Sequence, residues 1–174
     1  PHSGEQVPKQ ASWLLDLPEQ ILMQDADRYV DSLYETPIVE NNLPSVVTKW
    51  HRYVVDLNRL ADDIDPESVE GALGKKGDLP SGLHWVSTTK GETLMAKPMS
   101  LDLHNSLVEN FYNPFHESVK KQFAELFAKG FKRVFQLDAH SMPSIGTDKH
   151  KDPGKNRPEV VVSDCNGTAC DDDY

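Results

Sequence analysis

The stretch LVENFYNPFHESVKKQFAELFAKGFKRVFQLDAH, residues 107–140, decides the fold class. Leu107, Phe111, Phe115, Val119, Phe123 and Leu126-Phe127 recur at steps of three or four, which aligns them on one face of a helix. Pro114 interrupts that face: either the helix starts there, with Asn113 as its cap, or it kinks there. Gly130 supplies the stop, because glycine readily takes the left-handed conformation that closes many helices. Phe131 to Leu137 then reads as a strand that delivers Asp138 and His140 at its polar end.

A helix, a strand and then polar side chains is the pattern of a sheet with helices packed on it. Further out, Val160-Val161-Val162 repeats the strand signal, and Val46-Val47 and Tyr53-Val54-Val55 are short β-branched and aromatic runs suited to a pleated, half-buried surface. The expected architecture is α/β: a mixed, mostly parallel sheet with helices on both faces. Between Pro18 and Tyr34, the apolar Ile21, Leu22, Tyr29, Val30, Leu33 and Tyr34 predict helical stretches with one buried side. Asp25, Asp27 and Asp31 interrupt them, and either bind a cation or form a solvated helix face. Asn41, Asn42 and Pro44 mark a turn. Residues 62–98, punctuated by glycines, read as long irregular structure with a hairpin around Leu83–Val86 and Thr93–Met95, and loops of that length are usually lids or insertions.

At 174 residues the chain can build one good core, which predicts a single domain over 1–174. A net charge of −10 argues against a nucleic-acid or anionic-membrane surface, which would need basic clusters. No apolar run approaches the roughly 20 residues of a membrane span. No secretory leader is visible, so the expected location is cytoplasmic. Cys165 and Cys170 are too few for a disulfide-built scaffold and read as a short-loop disulfide or as two free thiols.

The candidate chemistry starts at Pro1-His2-Ser3-Gly4-Glu5. Imidazole nitrogen and carboxylate oxygen both suit Zn²⁺, whose catalytic sites take three protein ligands and keep one position open for water. His2 and Glu5 therefore need a third ligand, and His140 is the best candidate. Asp138, two residues before it on the same strand face, either orients that histidine or is a buried structural acid. Asn58 and Arg59, presented at a strand end, pair an amide with a planar guanidinium. They either hold a substrate carboxylate or belong to a surface loop. His116 and Arg157 are further candidates for a substrate pocket.

Read in order, PHSG at residues 1–4, DRYVDSLY from Asp27, RYVVDLNR from Arg52, GLHWVSTTKGETL from Gly82, FYNPFH from Phe111, DAHSMP from Asp138 and RPEVVVSD from Arg157 resemble the N-formylglutamate amidohydrolase family, over nearly the whole chain. That family is similar to zinc carboxypeptidases and succinylglutamate desuccinylase. The resemblance implies a carboxypeptidase-like (phosphorylase/hydrolase-like) α/β fold and a zinc triad of HxxE plus a later histidine, mapping here to His2, Glu5 and His140. It also implies a substrate-carboxylate pair at Asn58 and Arg59. The implied activity is metal-dependent hydrolysis of the amide of N-formyl- or N-acyl-glutamate or a similar N-acyl amino acid, with zinc or another divalent transition metal. The alternatives are a zinc carboxypeptidase or amidase acting on small or cell-wall peptides, and a catalytically inactive carboxylate-binding module. The family carries a strand before PHSG and its general-base glutamate beyond the position of Tyr174, so the chain is expected to be a fragment of a longer enzyme.

Overall fold

A computed structural model describes residues 1–72, 81–148, 150–165 and 167–170. Residues 73–80 of the long irregular stretch lie outside the described residues. Among the described residues the helices are α1 (Glu19–Leu22), α2 (Val30–Glu40), α3 (Leu101–Leu107) and α4 (Asn113–Ala128), with a 3-10 turn at Ser12–Leu14 and a π turn at Val108–Tyr112. The chain divides into two compact units, Pro1–Ser141 and Met142–Tyr174.

In the first unit the helical stripe forms as one rod, α3 running through the π turn into α4. It starts at Ser100, whose hydroxyl accepts the Leu103 N–H, an N-cap that satisfies one of the free amides of the first turn. Pro114 neither starts the helix from a capped Asn113 nor ends it. In a regular α-helix its ring would press on the carbonyl four residues back, and here the π turn lies immediately before it. At the far end Gly130 has φ +92°. Its N–H donates to the Phe127 carbonyl and that of Phe131 to Leu126, the paired closure that a left-handed residue permits.

The expected strands carry no ladder of their own among the described residues. Extended backbone becomes a strand only where a neighbour takes up its N–H and C=O groups. In this unit that happens as isolated bridges, parallel at Gln6–Trp50 and Val69–Met99 and antiparallel at Ser87–Thr93. The last of these lies at the end of the expected hairpin, where the Leu94 N–H also donates to the Val86 carbonyl at 3.0 Å. Gly4 allows the first to form, because a Cβ there would sit 2.5 Å from backbone atoms of Lys49 and Trp50.

The core gathers Leu14, Tyr53, Val54, Val55, Leu83, Met99, Leu107 and Phe111 around fully buried His51, Asp56 and His84. Burial of such polar groups is tolerable only when they are paired. His84 lies 3.2 Å from the Val54 carbonyl and 3.0 Å from His104 Nδ1. A cleft of about 940 Å³ opens between α2, the second half of α4, residues 43–47 and residues 131–139, and it reaches Pro1, Ser3, Asp138 and Ala139.

The second unit is held by bridges at Ile145–Asn156 and Gly146–Pro153 and by the Arg157 fork on Asp152, at 2.8 Å from Nε and 2.5 Å from Nη2. Val160, Val161 and Val162 are exposed there, and neither Cys165 nor Cys170 is in a disulfide. No helix among the described residues is long and apolar enough to cross a membrane.

Candidate metal centre

His2, Asp27 and His140 come together although 25 and 113 residues separate the acid from the two histidines, each offering one ligand atom within 4.8 Å of the others. The Gln6–Trp50 bridge fixes the run that carries His2. Asp27 lies between α1 and α2, its N–H donating to the His2 carbonyl at 3.1 Å. His140 closes the extended run after α4. The two imidazole centroids are 4.9 Å apart.

The hydrogen bonds around the two rings follow the same plan. His2 Nε2 lies 2.7 Å from Asp56 Oδ1, and His140 Nε2 lies 3.2 Å from Asp138 Oδ2. The other nitrogen of each ring faces Asp27 Oδ2, His140 Nδ1 at 2.8 Å and His2 Nδ1 at 3.5 Å. The second oxygen of Asp27 accepts from the Ser141 hydroxyl at 3.1 Å. A carboxylate behind the outer nitrogen of a histidine fixes ring orientation and tautomer, leaving the inner nitrogen as the lone-pair donor.

Asp56 is itself over-determined. Its carboxylate also accepts from Arg52 Nη2, Trp85 Nε1 and the Asn58 N–H, each at 2.9 Å. The Arg52 guanidinium in turn lies over the Trp85 ring, 4.5 Å from its centroid. Burial favours the neutral acid, but the His2 hydrogen bond and the Arg52 charge outweigh it and hold Asp56 far below the usual carboxylate range. Asp27 behaves alike: burial works to raise its pKa, while His140, His2 and Arg52 together hold it well below. His140 moves the other way, raised to about 9 by its hydrogen bonds to Asp138 and Asp27 against the effect of burial.

This donor set fits a divalent metal. His2 Nδ1 is a buried nitrogen without a hydrogen-bond partner, and it faces a carboxylate oxygen. With the outer nitrogen bonded to Asp56, a neutral His2 turns its lone pair towards that oxygen, and a cation between the two satisfies both. Two nitrogens and one oxygen from the protein are also the ligand types and number of a catalytic zinc site.

Glu5 stands elsewhere. Its carboxylate accepts from Arg28 Nε at 2.9 Å on the exposed surface, and the acid grouped with the histidines is Asp27. The run from Pro1 to Gln6 contains no helix, so a three-residue step does not by itself bring two side chains onto one face. Asn58 does reach the centre, its amide nitrogen 3.3 Å from His140 Nε2. The adjoining Arg59 donates from Nε to the Ser81 carbonyl at 2.7 Å and from Nη1 to the Asn58 carbonyl at 2.8 Å. His116 packs on Tyr112, ring centroids 4.2 Å apart, and burial lowers its pKa. Arg157 belongs to the second unit and is held by Asp152.

Local pattern leaves Asp27 open between cation binding and a solvated helix face, and the structure buries it to 5% exposure beside the two histidines. Asp56 looks like the start of a loop, and its only sequence signal is its place two residues before Asn58.

A family model for N-formylglutamate amidohydrolase matches residues 1–174. The crystal structure of an N-formylglutamate amidohydrolase from Ralstonia eutropha JMP134 is similar, with a TM-score of 0.69 and 26% identity over 83% of this chain and 51% of that one. The chain thus spans about half the length of that relative. A search of curated proteins finds no match.

Proposed function

This chain belongs to the N-formylglutamate amidohydrolase family, and from that premise we propose that it forms the metal centre and carboxylate clamp of an enzyme hydrolysing the amide of N-formylglutamate or a related N-acyl amino acid. The observation that carries the proposal is the pair of imidazoles turned on Asp27, each backed by a carboxylate at its outer nitrogen. His2, Asp27 and His140 would hold a divalent metal, zinc or another transition ion. Such an ion, when bound, polarises a scissile carbonyl and lowers the pKa of water to about 7.

The protein's own groups do the rest of the positioning. Asp56 and Asp138 hold the imidazoles in one orientation, so a metal would displace the proton on the inner nitrogen of His140 without any rotation of the rings. Arg59 is the substrate clamp in this reading. Its inner edge is pinned to two carbonyls, which leaves Nη2 and the second Nη1 hydrogen for a substrate carboxylate. Asn58 lies between that guanidinium and His140, which suits a substrate with its carboxylate at one end and its amide at the other. An acidic chain needs such a local cation to bind an acidic substrate. The two parallel bridges of the first unit are, in this proposal, part of a mixed, mostly parallel α/β sheet.

The test is metal content together with release of glutamate from N-formyl-L-glutamate by the intact protein. About one equivalent of divalent metal is expected, with Asp27→Asn and His140→Ala losing both metal and turnover while Glu5→Gln keeps them. Undiminished metal in Asp27→Asn and His140→Ala would overturn the assignment.

A further inference from the structure

The helical rod changes its hydrogen bonding at Val108–Tyr112, where the Asn113 N–H reaches back five residues to the Val108 carbonyl. Such single π turns inside α-helices are rare and concentrate at functional sites. The local cause is Pro114, whose ring cannot sit over a regular turn. The consequence is that two adjacent aromatic residues serve different partners. Phe111 turns into the core, edge-on to Trp50 with centroids 5.0 Å apart. Tyr112 donates its hydroxyl to the Arg59 carbonyl at 2.8 Å, and its ring is backed by His116.

That bond lands on a short turn that touches both halves of the candidate site. Within four residues it carries Asp56 behind His2, the Asn58 amide beside His140, and the Arg59 fork. At its near end the turn is tied by the Asp56 N–H to the Leu83 carbonyl and by the Asn58 N–H to the Asp56 carboxylate. At its far end the Tyr112 hydroxyl holds the backbone of Arg59 itself.

We propose that Tyr112 is a positioning residue for the Arg59 clamp: the π turn aims its phenol at the Arg59 carbonyl and so sets where the guanidinium meets a substrate carboxylate. This rests on the proposed reading of Arg59. Tyr112 does not touch the metal-binding group, so its influence is confined to substrates that use the clamp.

The test compares wild type, Tyr112→Phe, Arg59→Gln and the double variant of the intact protein on N-formyl-L-glutamate and on a neutral N-formyl amine lacking carboxylates. Tyr112→Phe removes one oxygen and keeps the ring. It is expected to lower kcat/KM for N-formylglutamate about threefold to tenfold, through KM, with metal content and activity on the neutral amine unchanged. In the Arg59→Gln background the same substitution is expected to add nothing. Equal losses on both substrates, or an undiminished effect of Tyr112→Phe in that background, would overturn the proposal. If Arg59→Gln alone shows no selective loss, Arg59 is not the clamp, and the role of Tyr112 falls with it by a different signature. If turnover is not detectable, calorimetric binding of L-glutamate reads the double-variant cycle: Tyr112→Phe is expected to weaken binding in the wild-type background and to add nothing in Arg59→Gln, and an undiminished effect there would overturn the proposal.

Discussion

Asp56→Asn probes the centre most sharply, because one carboxylate there serves both the fold and His2. It takes hydrogen bonds from His2 Nε2, Arg52 Nη2, Trp85 Nε1 and the Asn58 N–H, and the side chain is fully buried. The amide keeps one acceptor oxygen, turns an NH₂ towards groups that are themselves donors, and leaves the Arg52 charge without its partner. Breaking a buried pair from one side costs about 3–5 kcal/mol, which for a chain of this size is a fall in Tm of about 6–20 °C. A second effect follows at the proposed metal centre. His2 loses the acceptor that fixes its outer nitrogen, and losses of this kind lower metal affinity about 10–100-fold. The two effects separate experimentally: thermal unfolding of the metal-free protein reads the first, and chelator competition for zinc, well below the variant's Tm, reads the second. A folded Asp56→Asn protein with wild-type zinc affinity would refute the idea that Asp56 sets His2 for a metal, whatever its stability.

Gly4→Ala brings a Cβ to within 2.6 Å of Lys49 and Trp50 backbone atoms; overpacking of this kind costs about 1–3 kcal/mol. Because the displaced run carries His2, zinc retention should fall together with the unfolding midpoint in urea, and a variant as stable and metal-competent as wild type would contradict the close approach. Gly130→Ala should cost about 1 kcal/mol through its positive φ alone, visible in urea unfolding with metal content untouched. Stability should also fall in mild acid through His84. Burial first, and then the neighbouring His104, lowers its pKa from 6.5 to about 4, against the opposing effect of the Val54 carbonyl. The unfolded chain therefore binds the extra proton between pH 6.5 and 4, so the stabilisation is complete above 6.5 and is lost as pH falls towards 4. Urea midpoints measured across that window should flatten in His84→Gln relative to wild type, and an unchanged slope would remove His84 from the explanation.

The long helical rod was legible from the sequence because its apolar period and its Gly130 stop are local signals. The spacing of Leu107, Phe111 and Phe115 needs no distant partner to be read. Pro114 was legible as a disturbance but not as a π turn, since only the packing of Phe111 on Trp50 and of Tyr112 on Arg59 shows which residues the wider turn had to serve. The structure brings together His2 and His140, which the sequence singles out in short, distinctive motifs. The acid beside them, Asp27, stood in the sequence only as one of three that either bind a cation or line a solvated helix face. Local spacing pointed to Glu5, three residues from His2, whereas the chain brings in Asp27 from the break between two helices. The same holds for Asp56, whose four donors come from four places along 84 residues of chain. A ligand set and its supporting carboxylates are defined by distances of a few ångströms, and a sequence specifies these only after the backbone has closed its long-range contacts. Periodicity therefore determined the helix, and motif singled out the two histidines as candidates. The tertiary structure chose the acid between them, because in a buried site the charge that ends up facing two imidazoles depends on where the chain crosses and not on how near it lies in sequence.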